Sequence, residues 1–213
     1  MIQLLKSRWT YVTIRVVGFS LLVGYLAVTT DWRISVPWVF AFPAISFSVA
    51  WLFVGLNLFD RFPKLNRYIL YPQTNGNAEH ARSNNEWALS QAKYLEGGGK
   101  SVIFAPTEDG LICVPVLLVG IGAISAVLGG LAYGLIHLGR FTYLECIGKA
   151  ITYTLVCYFV LPQGLLTVVA GHLLMDLIAL AALKVAKHKL SEDLRSNPTV
   201  ERDARKSGAR PAP

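Results

Sequence analysis

Charge is scarce in this sequence. Only 15% of its 213 residues are Asp, Glu, Lys or Arg, against 54% that are apolar. A typical soluble domain carries about 25% charged residues, so an ordinary water-soluble fold is excluded, as a mean hydropathy of +0.47 also indicates. Cysteine is scarce too. Cys113, Cys146 and Cys157 form no CxxC pair and lie in or beside apolar runs, which leaves neither a disulfide framework nor a zinc-ligand set and predicts buried, inert thiols. Basic residues are not interleaved with aromatics and carry no recognition-motif spacing, so no nucleic acid partner is expected. The GGGKS at 97–101 lacks the first glycine of a phosphate loop, because Tyr94 stands there, and an apolar Val102-Ile103-Phe104 follows it. It reads as a connector.

Long apolar runs are what the sequence does have. Tyr11–Thr30 follows Lys6 and Arg8, is too long for a signal-peptide core and reads as a retained first span. Ser35–Phe59 is the second, after a short DWRI turn. A polar stretch over about Asp60–Ser101 follows, in which Asn77–Leu95 has the makings of a surface helix with a thin apolar face. Then come Leu111–Leu138 and Ala150–Val185. As single helices these would measure roughly 42 Å and 54 Å, against a hydrocarbon core of about 30 Å. Each contains a breaker, GIG at 120–122 and LPQG at 161–164, so each is expected to fold as a hairpin. The fold class is therefore all-α: a polytopic helical membrane protein of about four to six membrane arms. Its parts are two N-terminal spans (1–59), a polar cytoplasmic connector (60–104), a membrane core (105–187) and a basic tail (188–213) expected to be disordered. The Glu108 arm is expected to be short enough to be re-entrant, sheltered by protein.

Orientation follows from charge. With the N-terminus inside, two spans and two hairpins return the chain to the cytoplasm each time. Every Lys and Arg except Arg33 then falls on the cytoplasmic side or its edge, as positive residues do. Much of the net charge of +7 lies in Lys184–Arg210, a segment suited to anionic headgroups. The implied setting is a lipid bilayer, such as a bacterial inner membrane, with both termini cytoplasmic.

Six ionisable residues lie near the membrane in the second half: Glu108, Asp109, His137, Glu145, His172 and Asp176. Such groups are costly in hydrocarbon and are hypotheses of function by default. His172 and Asp176 are four apart in GHLLMDL and would share a helix face. Glu108 can meet His137 only if GIG is a turn, since a continuous helix would hold them roughly 43 Å apart.

The order Glu108-Asp109, Tyr133-Gly-Leu-Ile-His137, His172-Leu-Leu-Met-Asp176 resembles the CAAX-protease and bacteriocin-processing family of intramembrane proteases. That family shows Glu-Glu-xxx-Arg, Phe-xxx-His and His-xxx-Asn/Asp on successive helices. The resemblance covers roughly residues 104–187. The second motif differs by Tyr133 for Phe and the third matches outright. The first departs twice, with Asp109 for the second Glu and Cys113 where Arg is expected.

The resemblance implies a glutamate-type peptidase acting on a membrane-associated protein or peptide. Glu108 and His137 would activate a water, and His172 with Asp176 would polarise the scissile carbonyl. A carboxylate out of water is a stronger base, and a carboxylate-bound histidine can donate to developing negative charge. No cofactor is called for. Histidines and carboxylates bind zinc in principle, but no HExxH occurs. Plainer readings stand beside these. His172–Asp176 is also a pair that clips helices together. His137 is also an interfacial histidine, and Glu108 also suits a first helical turn. The tyrosines at 133, 143, 153 and 158 read as packing and interface residues. Two other functions are open: an inactive immunity, exclusion or assembly factor on the same scaffold, and a proton-coupled transporter, for which no internal repeat is visible. A reporter fused into the 139–149 loop is expected to lie in the cytoplasm; a periplasmic or lumenal signal would overturn this orientation.

Overall fold

The computed structural model describes residues 8–62, 65, 99–138 and 141–196. The expected surface helix at 77–95, His80 and residues 197–213 of the tail lie outside the described residues, while 188–196, expected to be disordered, continue the last helix. Helices make up the described chain, with no strand among its elements. They are α1 (Arg8–Thr29), α2 (Val36–Gly55), a single turn Leu58–Arg61, α3 (Gly99–Val119), α4 (Ala123–Ile136), α5 (Tyr143–Leu155) and α6 (Leu165–Ser196). Through a π turn at Val156–Val160 and a 3-10 turn at Leu161–Gln163, α5 runs on to the last break.

Both long apolar stretches fold back at their breakers. Gly120 ends α3 at φ +101° and Gly164 precedes α6 at φ +120°. Both angles are ones that side-chain-bearing residues rarely adopt. At the first break the hydroxyl of Ser125 donates to the Gly120 carbonyl at 2.7 Å and accepts from the Gly122 N–H at 2.9 Å. The Gly164 break sits against the α1–α2 connector, where a Cβ would meet the Arg33 carbonyl. Ser35 N–H donates to Thr167 Oγ1 at 2.9 Å beside it, so these two connections lie at one end of the bundle. In the same connector Arg33 binds Asp31 at 2.7 Å, a hydrogen bond that holds the Asp31 carboxyl below its ordinary range. A capping box starts α5. Glu145 N–H donates to Thr142 Oγ1 at 3.2 Å and Thr142 N–H to Glu145 Oε2 at 2.8 Å. Glu145 is thereby accounted for as a helix cap.

Among the described residues, four helices are long and apolar enough to cross a membrane: Val12–Thr29, Val36–Gly55, Tyr143–Gln163 and Leu165–Ala182. Large apolar side chains such as Val28, Trp51, Leu118 and Ile124 point outward, as they do in lipid and do not in water. The chain is an integral helical membrane protein. The arm lengths correct one expectation. The Glu108 arm is not the short one, because α3 starts at Gly99 and runs 21 residues. The short arm is α4, whose 14 residues span roughly 21 Å.

Packing pairs α1 with α3, α4 with α5 and α2 with α6, and α3 also touches α6. The tightest approach matters for the site. A Cβ on Gly18 of α1 would run into the Thr107 carbonyl, and one on Gly110 would run into the Gly18 carbonyl. Backbones that close are how membrane helices gain dispersion energy without a hydrophobic driving force. They clamp α1 against the turn of α3 that carries Glu108 and Asp109. Gly18→Leu or Gly110→Leu is expected to cost about 1–3 kcal/mol through overpacking, read as a lower thermal unfolding midpoint in detergent. Gly24→Leu, with nothing within 4 Å of its Cβ, should leave the midpoint in place.

Candidate functional site

Glu108 and Asp109 sit in the tenth and eleventh positions of α3, with Pro106 inside the helix. They are mid-helix residues, so the reading of Glu108 as a first-turn residue is overturned. Neighbours in sequence project about 100° apart on a helix, and the two carboxylates accordingly face different partners.

Glu108 faces α4. Its Oε2 accepts from the Tyr133 hydroxyl at 3.4 Å and lies 3.7 Å from His137 Nε2. His137 ends α4 and is buried in the protein. Its Nδ1 lies 2.8 Å from the carbonyl of Tyr133, one turn earlier. A carbonyl only accepts, so the proton is on Nδ1 and the lone pair of a neutral His137 faces Glu108. The Glu108 side chain keeps 21% of its surface accessible, against 8% for that of His137.

Asp109 faces α5 and α6 and is fully buried. Its Oδ1 accepts from the Tyr153 hydroxyl and, at 3.0 Å, from His172 Nδ1. Tyr153 Oη also lies 3.2 Å from His172 Nδ1, and Tyr133 Oη lies 3.4 Å from His172 Nε2. Rings complete the enclosure. Phe42 of α2 stacks on His172 with centroids 5.1 Å apart, and Tyr133 stacks on Tyr153 at 3.5 Å. The Lys149 ammonium lies 4.3 Å from the Phe141 ring centroid and 5.9 Å from that of Tyr133. Its charge acts on both Glu108 and Asp176.

Glu108, His137 and His172 are thus brought together. Asp176 is not joined to His172: the histidine's carboxylate partner is Asp109, on a different helix. The helical i,i+4 relation puts two residues on one face but leaves their side chains free to point elsewhere, and the short reach of Asp favours a partner placed directly opposite. Two tyrosines taken as packing residues, Tyr133 and Tyr153, carry hydrogen bonds of the site. Their sequence signal was weak, a hydroxyl inside an apolar helix that needs a partner. Cys113 is fully buried beside Cys157 and brings no charge; all three cysteines are free and buried. Among the described residues, no three His, Cys, Asp or Glu side chains are grouped to hold a metal ion.

The fold and site define a class: an integral helical membrane protein with a buried network of two histidines, two carboxylates and two tyrosines. No family model, curated protein or solved structure matches the chain.

Chemically, the site offers an accessible carboxylate beside a histidine lone pair and, one hydroxyl away, a second histidine locked by a carboxylate. Asp109→Asn is expected to lower stability by about 1.5–3 kcal/mol, the worth of hydrogen bonds to a charged acceptor, whereas Asp176→Asn changes it less. Unfolding midpoints in detergent measure both, and an equal or larger loss at Asp176 would contradict the assignment of Asp109 as the partner.

Proposed function

We propose that this protein is an intramembrane peptidase, hydrolysing a peptide bond of a membrane-associated protein or peptide. One observation carries the reading: Glu108, His137 and His172, on three helices and up to 64 positions apart, converge on one site in which Glu108 stays accessible. Glu108 draws a proton from a water held between it and His137. The water oxygen bonds to the scissile carbonyl carbon, and the C=O π pair moves onto oxygen. His172, its orientation held by Asp109, stabilises that oxyanion. The role the motif resemblance implies for Asp176 passes to Asp109. The proton taken by Glu108 leaves on the amide nitrogen as the C–N bond breaks.

Charge placement supports an orientation with both termini in the cytoplasm, and a bacterial inner membrane suits it. The basic tail would then hold anionic headgroups close to where substrates arrive. A second reading, a non-catalytic immunity, exclusion or assembly factor, draws on one observation. Cys113, at the position of the family's arginine, is buried without charge.

Glu108→Gln and His172→Ala are each expected to cut cleavage of a membrane-tethered reporter peptide by at least about 100-fold while protein level is unchanged. Full cleavage by both variants would end the peptidase reading. Cleavage by the wild type, lost in Glu108→Gln, would end the non-catalytic one.

A further inference from the structure

The Tyr133 hydroxyl carries one proton and stands between two groups that compete for it. Its oxygen is 3.4 Å from Glu108 Oε2 and 3.4 Å from His172 Nε2. The other end of His172 is committed to Asp109 Oδ1, 3.0 Å from Nδ1, and as a carboxylate Asp109 accepts from the Nδ1–H. With the shared proton confined to Glu108 Oε2, Tyr133 and His172 Nε2, two arrangements satisfy all three groups. In one, Glu108 is ionised, Tyr133 donates to it, and His172 donates to Tyr133 from Nε2 as an imidazolium. In the other, Glu108 is protonated and donates to Tyr133, which donates to the bare Nε2 of a neutral His172. The heavy atoms need not move between them.

We infer that Tyr133 is a proton relay that couples the protonation of Glu108 to that of His172. The inference builds on Glu108 as the base of the peptidase reading. In the transfer, the O–H bond of Glu108 breaks as one forms at Tyr133 Oη. The original Tyr133 O–H breaks as an N–H bond forms at His172 Nε2. Tyrosine is neutral before and after, and one proton has moved from carboxyl to imidazole. The consequence for hydrolysis is direct. The arrangement in which Glu108 is an ionised base is the one in which His172 is an imidazolium, so positive charge already stands beside the forming oxyanion when the water is deprotonated. The proton taken from water stays on Glu108 and passes to the amide nitrogen when the C–N bond breaks. A phenylalanine at this position would lack the bridging oxygen. Tyr133 is held for the task by its stack on Tyr153 and by the Lys149 ammonium near its ring.

The groups facing this path are Glu108 and Asp109 from α3, His137 from α4, Lys149 and Tyr153 from α5, and His172 and Asp176 from α6. From α2 comes Phe42, and that helix has no ionisable residue. The test uses the full chain in lipid nanodiscs, with 15N-labelled histidine followed by NMR across pH. Glu108→Gln is expected to move the His172 midpoint by about one pH unit, the scale of strongly coupled sites. In a Tyr133→Phe background the same substitution is expected to move it by less than about a third of that. Equal shifts in the two backgrounds would overturn the relay. If Tyr133→Phe does not fold, infrared spectra of the wild type decide instead. The carboxyl C=O band lost in Glu108→Gln should rise and fall with a midpoint shared by His172, and independent midpoints would overturn the coupling. None of these readouts needs turnover. An absence of cleavage by the wild type would count against the peptidase reading and leave the coupling result standing.

Discussion

A carboxylate with no exposed surface, in the middle of a membrane bundle, sets the terms for everything around it. Asp109 is that group. An isolated ionised carboxylate in an apolar medium costs far more than a fold's net stability, so it must be hydrogen-bonded or neutralised. Here Tyr153 and His172 converge on the same oxygen, Oδ1. That requirement joins α3, α5 and α6 at one point. It also explains why aromatic rings, Phe42 on His172 and Tyr133 on Tyr153, close around it. Flat rings exclude water while offering hydroxyls only where a partner waits.

The second carboxylate has the opposite environment. Glu108 is one residue away, turned toward α4, and keeps part of its surface open. A single turn of helix thus presents one carboxylate that binds a histidine out of reach of solvent and one that keeps part of its surface open. Two titratable groups in contrasting surroundings are what acid–base chemistry needs. The α1–α3 clamp, where Gly18 and Gly110 let backbones touch, fixes the depth and rotation of that turn. A degree or two of freedom there would change distances at Glu108 and Asp109 together.

Two residues of the second half have a physical role that spacing along the chain does not reveal. Tyr133 supplies a hydroxyl common to Glu108 and His172. Cys113 packs in the apolar core with Cys157. Positive charge comes near the site from α5, where the Lys149 ammonium lies over the Tyr133 and Phe141 rings. No sequence spacing connects Lys149 with Glu108, since the two are brought near only by folding α4 and α5 back onto α3.

Much of the architecture was legible in the order of residues. The membrane class followed from the length of the apolar runs, because hydrocarbon demands helices of a set length. The breaks at GIG and LPQG followed from residues that cannot continue a helix or that alone accept a positive φ. Glu108, His137 and His172 could be singled out because ionisable groups in apolar runs are rare. What the sequence left undecided was partnership. It paired His172 with Asp176 by helical spacing, whereas His172 binds Asp109; it passed over Tyr153; and it assigned the short arm to Glu108 although α4 is shorter. Local rules act along one helix, through backbone hydrogen bonds and side-chain periodicity. Which polar atom meets which is settled by helix rotation and crossing, and those depend on packing among residues far apart in the chain.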